Sequence, residues 1–133
     1  MITVKNGNKE VELKFGIGQL TAIDKSLGLE VEKINLGEGL EMLVPKLHTG
    51  NIIGLSKVIS AASVGQKGRP KTDEELEDML VSARNEYGSF KAFGKAIIDV
   101  LGERPLTQDL VKDAMEKLGE EMEETTAKEE VNQ

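Results

Sequence analysis

The first fifteen residues alternate between apolar and polar side chains with a period of two, which is typical of half-buried β-strands. An Asn-Gly pair interrupts the alternation and favours a hairpin turn, because both residues tolerate positive φ. A two-residue loop would set Val4 opposite Lys9. A four-residue loop would instead pair Val4 with Val11 and Ile2 with Leu13. The second register is preferred because it keeps apolar residues opposite one another.

From residue 16 onward the apolar positions recur every three or four residues, as on one face of an α-helix. The first five such stripes are Ile17, Leu20, Ile23 and Leu27; Leu36, Leu40, Leu43, Val44 and Leu47; Ile52, Leu55, Val58, Ile59 and Ala62; Leu76, Met79, Leu80 and Ala83; and Phe90, Phe93, Ile97, Ile98 and Leu101. Gly28 is expected to end the first helix. Pro45 is expected to kink or split the second helix, since it lacks a backbone donor.

Other residues mark the ends of the later helices. Thr72 and Glu75 have the spacing of a capping box, in which each side chain accepts a hydrogen bond from the other residue's backbone. Gly88 is expected to end that helix and Ser89 to cap the next one. Gly102 is expected to stop the helix that follows Ser89.

The last stripe lies on a helix that Thr107 is expected to cap. Its residues are Leu106, Leu110, Val111, Ala114, Met115, Leu118 and Met122. The stripe runs toward a Glu-rich segment, where little core is available to cover it, and methionine is common on adaptable binding surfaces. This helix is therefore the leading candidate for a surface that binds a partner or a second copy of the chain. The predicted partner-binding residues are Leu110, Val111, Met115, Leu118 and Met122.

These elements predict a mainly α (α+β) fold, in which an N-terminal β-hairpin packs on a compact array of about five or six helices. The length of 133 residues suits one domain. That domain is predicted to cover residues 1–119, with the hairpin at 1–15. Residues 120–133 are predicted to form an acidic, flexible tail, because they offer almost nothing to bury.

Charge narrows the choice of partners. The net charge is −7, and residues 103–133 hold ten acidic and only four basic side chains. A net-negative protein repels nucleic acids and anionic membranes unless a basic patch overrides the repulsion. The basic loop 65–71 has three cations and is followed at once by acidic residues, so neither nucleic acid nor membrane is a predicted partner.

No apolar run reaches the length of a membrane-spanning helix, and the first residues do not resemble a signal peptide. A cytoplasmic location is expected.

The sequence contains few of the residues that commonly serve as nucleophiles, general acids or bases, or metal ligands in a recognisable pattern. The absence of cysteine excludes disulfides, thiolate metal sites and a cysteine nucleophile. His48 suits the end of a helix, where the dipole favours it, and the acidic residues in 73–78 suit a first helical turn rather than a calcium loop. The glycines at 16 and 18 lack the third glycine and second parallel strand of a dinucleotide site. No catalytic residue, cofactor or metal is predicted.

Several short strings occur in a characteristic order after Gly7. They are Val11-Glu12-Leu13-Lys14-Phe15-Gly16-Ile17-Gly18-Gln19-Leu20, Leu27-Gly28-Leu29, Leu36-Gly37-Glu38-Gly39-Leu40-Glu41-Met42-Leu43, Pro45-Lys46-Leu47-His48-Thr49-Gly50-Asn51, Ile59-Ser60-Ala61-Ala62 and Pro105-Leu106-Thr107. In this order the sequence resembles the tail assembly chaperones of long-tailed (siphovirus-type) phages of Gram-positive bacteria. The resemblance covers most of residues 1–118, and its strings consist of glycine and apolar residues rather than a catalytic signature.

The resemblance implies a non-catalytic role. Such chaperones coat the tape-measure protein in the cytoplasm of the infected cell, bring tail-tube subunits to it, and are absent from the mature virion. The family often makes a longer product by ribosomal frameshifting. The implied partners are therefore the tape-measure protein and the tail-tube protein, and no cofactor is implied.

Two other classes of function stay open on the sequence. One is a small helical adaptor or regulator that binds a folded protein or nucleic acid. A neighbouring tape-measure gene would favour the chaperone over this adaptor. The other is an enzyme, which a His48-dependent conversion of a small metabolite would indicate.

Overall fold

A computed structural model describes residues 1–27 and 38–131, with side chains described as far as residue 120 except that of Glu38. The elements in this part of the chain are β1 Ile2–Asn6, β2 Lys9–Leu13, α1 Ile17–Leu27, α2 Glu38–Thr49, α3 Ile52–Ala62, α4 Asp73–Tyr87, α5 Phe90–Glu103 and α6 Gln108–Val131. The predicted fold, a hairpin followed by about five or six helices, is confirmed. The predictions for Gly28 and Leu36 lie outside the described residues.

The hairpin has the preferred register. The two strands are antiparallel, and Val4 lies opposite Val11 with both side chains fully buried. The four-residue loop is wrong, however, because Asn6 and Lys9 also pair and leave a two-residue turn. Gly7 is the first residue of this turn and has a φ of 61°, a conformation that favours glycine at that position. The ladder therefore extends one pair further than the apolar pattern indicates.

The apolar face of the hairpin and the inner faces of the helices form one core. Its largest fully buried side chains are Phe15, Phe93, Ile23, Leu43, Leu47, Leu55, Ile59, Met79, Ile97, Leu101, Val4 and Val11. Within the first five stripes, Ile17 and Ile52 do not belong to this core, since they are 71% and 51% exposed. Each is the first residue of its helix. Because helical side chains lean toward the N-terminus, each extends past the end of its helix rather than onto the core.

Local capping chemistry determines where α4 and α5 begin. The Thr72 hydroxyl accepts a hydrogen bond from the N–H of Glu75 at 3.1 Å, and the Ser89 hydroxyl caps α5 in the same way. Both caps are confirmed. The carboxylate of Glu75 accepts from the N–H of Lys71 instead of that of Thr72, so the reciprocal half of the capping box is shifted by one residue. Gly88 ends α4 with a φ of 103°, as expected.

Pro45 does not split α2, and Gly102 does not stop α5. α2 continues through Pro45, because the loss of one backbone hydrogen bond is outweighed by the burial of Leu43, Val44 and Leu47 on the core. α5 continues past Gly102 to Glu103. Glycine lowers helix stability without ending a helix that packing supports.

The end of α4 is joined to both the hairpin and α5. The rings of Tyr87 and Phe93 lie 5.2 Å apart at an angle of 43°. Burial raises the pKa of the Tyr87 hydroxyl and Glu86 adds to this rise, while a hydrogen bond with the backbone of Thr3 opposes it. This contact holds β1 against the helical part of the fold.

The position of the last packed side chain on α6 predicts that the acidic C-terminal segment can be removed without unfolding the domain. α6 extends to Val131, but the last described side chain that packs on the core is that of Leu118. Truncation after residue 119 is therefore expected to leave the melting temperature within about 2 °C of the full-length value. Thermal unfolding followed by circular dichroism measures this. Loss of a cooperative transition in the truncated chain would show that the acidic segment is part of the folded unit.

Candidate partner-binding surfaces around helix α6

The predicted binding stripe on α6 does not form one continuous surface. This helix packs on both α2 and α5, and Val111 and Ala114 are buried between them, at 8% and 9% exposure. Leu110 and Leu118 are half-buried, and Met115 is 39% exposed. The side chain of Met122 lies outside the described residues.

The flanks of the stripe line two different recesses. Leu110 faces a hollow between α1 and α6, whereas Met115 lines a groove on the side formed by α2 and α5. These two recesses are called here the α1–α6 hollow and the cationic groove. The central residue Val111 contributes to the core instead of to a binding surface.

The α1–α6 hollow has a volume of about 350 Å³. Its lining residues are Ile17, Leu20, Thr21, Asp24, Leu40, Leu106, Thr107 and Leu110. Ile17 and Leu106 are 71% and 62% exposed. Exposed aliphatic side chains around an apolar recess are a feature of protein-binding sites.

The polar groups of the α1–α6 hollow take part in the fold. An Asp24 carboxylate oxygen accepts the backbone N–H of Leu40 at 3.1 Å, so α1 caps the first turn of α2, where the helix dipole favours a negative charge. Thr107, which was expected to cap α6, donates its hydroxyl to the carbonyl of Leu101 at the end of α5. What the hollow offers to a partner is therefore mainly aliphatic surface.

The cationic groove has a volume of about 460 Å³. Its lining residues are His48, Lys91, Ala92, Lys95, Ile98, Asp99 and Met115. His48 lies in the last turn of α2, as expected, and its side chain is exposed. Both lysines are exposed on α5. This arrangement places basic groups along the edge of a partly apolar recess.

A third recess of about 300 Å³ lies between α1, α3 and α4. Lys57 donates to the carbonyl of Ser26 near the end of α1, and Arg69 donates to the carbonyl of Ser60 near the end of α3. These cations satisfy carbonyl groups at helix C-termini, where positive charge is favoured. Arg69 Nε is buried without a hydrogen-bond partner. The basic loop thus turns one of its three cations inward.

Other candidate chemistry has a structural explanation. The carbonyl of Gly16 accepts the N–H of Leu20, so this glycine begins a helix, and in the described part of the chain the sheet consists of the two hairpin strands. Among the side chains that the structure describes, no cluster of acidic or histidine residues is arranged to hold a metal ion. None of the helices in this part is both long and apolar enough to span a membrane.

The sequence did not place Ile17, Leu20 and Leu40 in a binding site. They lie on α1 and α2, far along the chain from Leu110, and only tertiary packing brings them to α6. Ile17 is the first residue of α1, and this terminal position is the feature of the sequence that indicates its exposure. Leu106 belongs to the α6 stripe but not to the predicted partner-binding residues, although it lines the hollow.

The fold defines a small, mostly helical α+β protein with recesses on both sides of its last helix. A family model described as phage tail assembly chaperone protein, TAC, matches residues 3–116, from the hairpin to the middle of α6. The chain belongs to this family. No curated protein and no solved structure matches it significantly. Family membership confirms the resemblance to tail assembly chaperones and supports a non-catalytic role in phage tail assembly.

Proposed function

We propose that this protein binds the tape-measure protein in the cytoplasm of the infected cell and helps recruit tail-tube subunits to it. In this proposal it leaves before the virion matures. The observation that carries the proposal is the α1–α6 hollow, in a member of the tail assembly chaperone family.

The chemistry of the hollow suits a helical client. A long helical protein that has not yet assembled exposes apolar stripes, and an apolar recess receives such a stripe by helix-in-groove binding. Ile17 and Leu106 provide aliphatic edges for it, and Leu20 and Leu110 line the recess. The volume of about 350 Å³ accommodates a few aliphatic side chains.

The small size of the site also suits release. Burying one aliphatic side chain contributes about 1.5–3 kcal/mol, and association itself costs several kcal/mol. A site that takes a few side chains therefore binds reversibly. Many copies of this chain along one tape-measure protein would hold it through repeated weak contacts. Tail-tube subunits would then displace the copies one by one.

The test is co-expression with the tape-measure protein of the same phage. The double variant Ile17→Glu/Leu106→Glu is expected to retain at least tenfold less tape-measure protein on purification, because two aliphatic contacts are replaced by charges. The melting temperature should change little, since both side chains are exposed. Unchanged retention would contradict the proposed binding site.

The matched control is Ile52→Glu/Ile53→Glu. These two isoleucines are also exposed, at 51% and 59%, and neither lines the hollow. The two substitutions introduce the same charge on α3 and should leave retention of the tape-measure protein unchanged. An equal loss in both double variants would show that general apolar exposure, rather than the hollow, holds the client.

Recruitment of tube subunits needs a separate measurement. Tail-tube protein added to the purified complex with the tape-measure protein should co-elute with it on size-exclusion chromatography. Co-elution in the absence of the chaperone would overturn this half of the proposal. The adaptor alternative would gain support if the chain bound a folded regulatory protein while failing to retain tape-measure protein.

A further inference from the structure

The cationic groove carries a local charge opposite to that of the whole protein. Lys91 and Lys95 lie one turn apart on α5, and His48 approaches from the end of α2. The chain as a whole has a net charge of −7. A basic edge on an acidic protein attracts an acidic ligand at short range and rejects basic ones.

The lysines of the groove are available for intermolecular contacts. Neither Lys91 nor Lys95 forms an ion pair with another described residue, in contrast to Lys14, whose Nζ lies 3.2 Å from a Glu12 carboxylate oxygen. Both side chains are exposed. Within the described residues their ammonium groups therefore stay available to pair with a partner's carboxylates, with Asp99 as the one acidic side chain that also lines the groove.

The groove also has apolar surface. Ile98 is 7% exposed, Ala92 is half-buried, and Met115 from α6 is 39% exposed. Methionine adapts its shape to different partners. A ligand with both an apolar face and acidic groups would satisfy the two kinds of surface at once.

We propose that the cationic groove binds an amphipathic helix of a partner protein, whose apolar stripe is flanked by Asp or Glu side chains. The apolar stripe packs on Ile98 and Met115, and the carboxylates approach Lys91 and Lys95. This site lies on the opposite flank of the α6 stripe from the α1–α6 hollow. The proposal is independent of tape-measure binding there.

A protein helix suits the groove better than a nucleic acid does. Two lysines and one histidine supply few phosphate contacts, and nucleic-acid affinity depends on many. In the described structure no aromatic side chain lines the groove to stack on a base. The apolar surface that Met115 exposes would stay uncovered against a phosphate backbone.

Asp99 makes the two ends of the groove differ in charge. It lies eight residues after Lys91 on α5, about 12 Å along the helix axis, but only one turn after Lys95, so the end of the groove near Lys91 is the more basic one. A bound helix would place its carboxylates near the start of α5 and keep them away from Asp99. Replacing Asp99 with asparagine should therefore strengthen binding of an acidic helix by about threefold.

The test uses the full-length chain and two synthetic amphipathic peptides with the same leucine stripe, flanked by glutamate in one and by lysine in the other. Binding is measured by fluorescence anisotropy at low and high salt. The glutamate peptide is expected to bind more tightly and to weaken as salt rises. The variant Lys91→Glu/Lys95→Glu should bind it about tenfold more weakly and should gain affinity for the lysine peptide.

The matched control is Lys67→Glu/Lys71→Glu, which makes the same change in net charge at exposed positions in the basic loop. It should bind the glutamate peptide like the wild type. Equal weakening in both double variants, equal binding of both peptides, or tighter binding of a single-stranded oligonucleotide would each overturn the proposal. Ile17→Glu/Leu106→Glu should keep peptide binding, which separates this result from the test of the tape-measure site.

Discussion

Replacing Gly94 with alanine is expected to destabilise the protein by about 3 kcal/mol or more and to lower its melting temperature by about 10 °C. Gly94 is buried in α5, where this helix crosses α2. A Cβ atom at this position would lie 2.0 Å from the carbonyl oxygen of Leu47. That oxygen belongs to the backbone of a packed helix, so it cannot move aside as a flexible side chain could.

Gly119→Ala provides the control for this substitution. Gly119 is also helical, and a Cβ atom there would meet nothing within 4 Å. Alanine should therefore stabilise the protein slightly, by about 0.5 kcal/mol, because it restricts the unfolded chain. Thermal unfolding of both variants by circular dichroism gives the comparison. A Gly94→Ala protein as stable as the wild type would mean that α2 and α5 do not pack this closely.

Replacing Val111 with aspartate is expected to cost about 3 kcal/mol, since the carboxylate would be buried without a partner. Val111 is 8% exposed and lies in the middle of the stripe on α6. The same change at Met115, which is 39% exposed, should cost less than about 1 kcal/mol. Chemical denaturation of the two variants measures the difference.

This pair of substitutions decides which residues of α6 belong to the core. If Val111→Asp kept wild-type stability and lost only partner binding, the whole stripe would be a binding surface, as the sequence pattern suggested. If Met115→Asp were as destabilising as Val111→Asp, the cationic groove would be part of the core. The geometry predicts a large effect at the first position and a small one at the second.

Local features of this fold could be predicted because their chemistry lies within a few residues. The caps at Thr72 and Ser89 depend on a hydroxyl and an N–H three positions later. The pairing of Val4 with Val11 follows from the period of two, which a shift of one residue would reverse. Gly94 shows the opposite case. Nothing near it in the sequence indicates that the backbone of another helix lies against it.

The binding surfaces were less predictable for a related reason. The stripe on α6 predicts which side chains lie on one face, but the exposure of each depends on α2 and α5, which pack along that face. Val111 is covered and Met115 is not, although both continue the same periodicity. The basic edge of the groove also combines His48 with Lys91, and no spacing rule links these two residues.

The attachment of the hairpin has a consequence for the order of folding. The Asn6 amide donates to the carbonyl of Gly68, and the N–H of Lys14 donates to the carbonyl of Ala62. An isolated two-stranded hairpin is marginal in water, so β1 and β2, which are synthesised before α3, gain these hydrogen bonds only after α3 and the loop behind it have been made. The apolar face that contains Val4 and Val11 stays uncovered for longer, since β1 packs on α4, which is synthesised later still. A newly made chain therefore passes through an interval in which the hairpin is exposed to solvent and to other nascent chains.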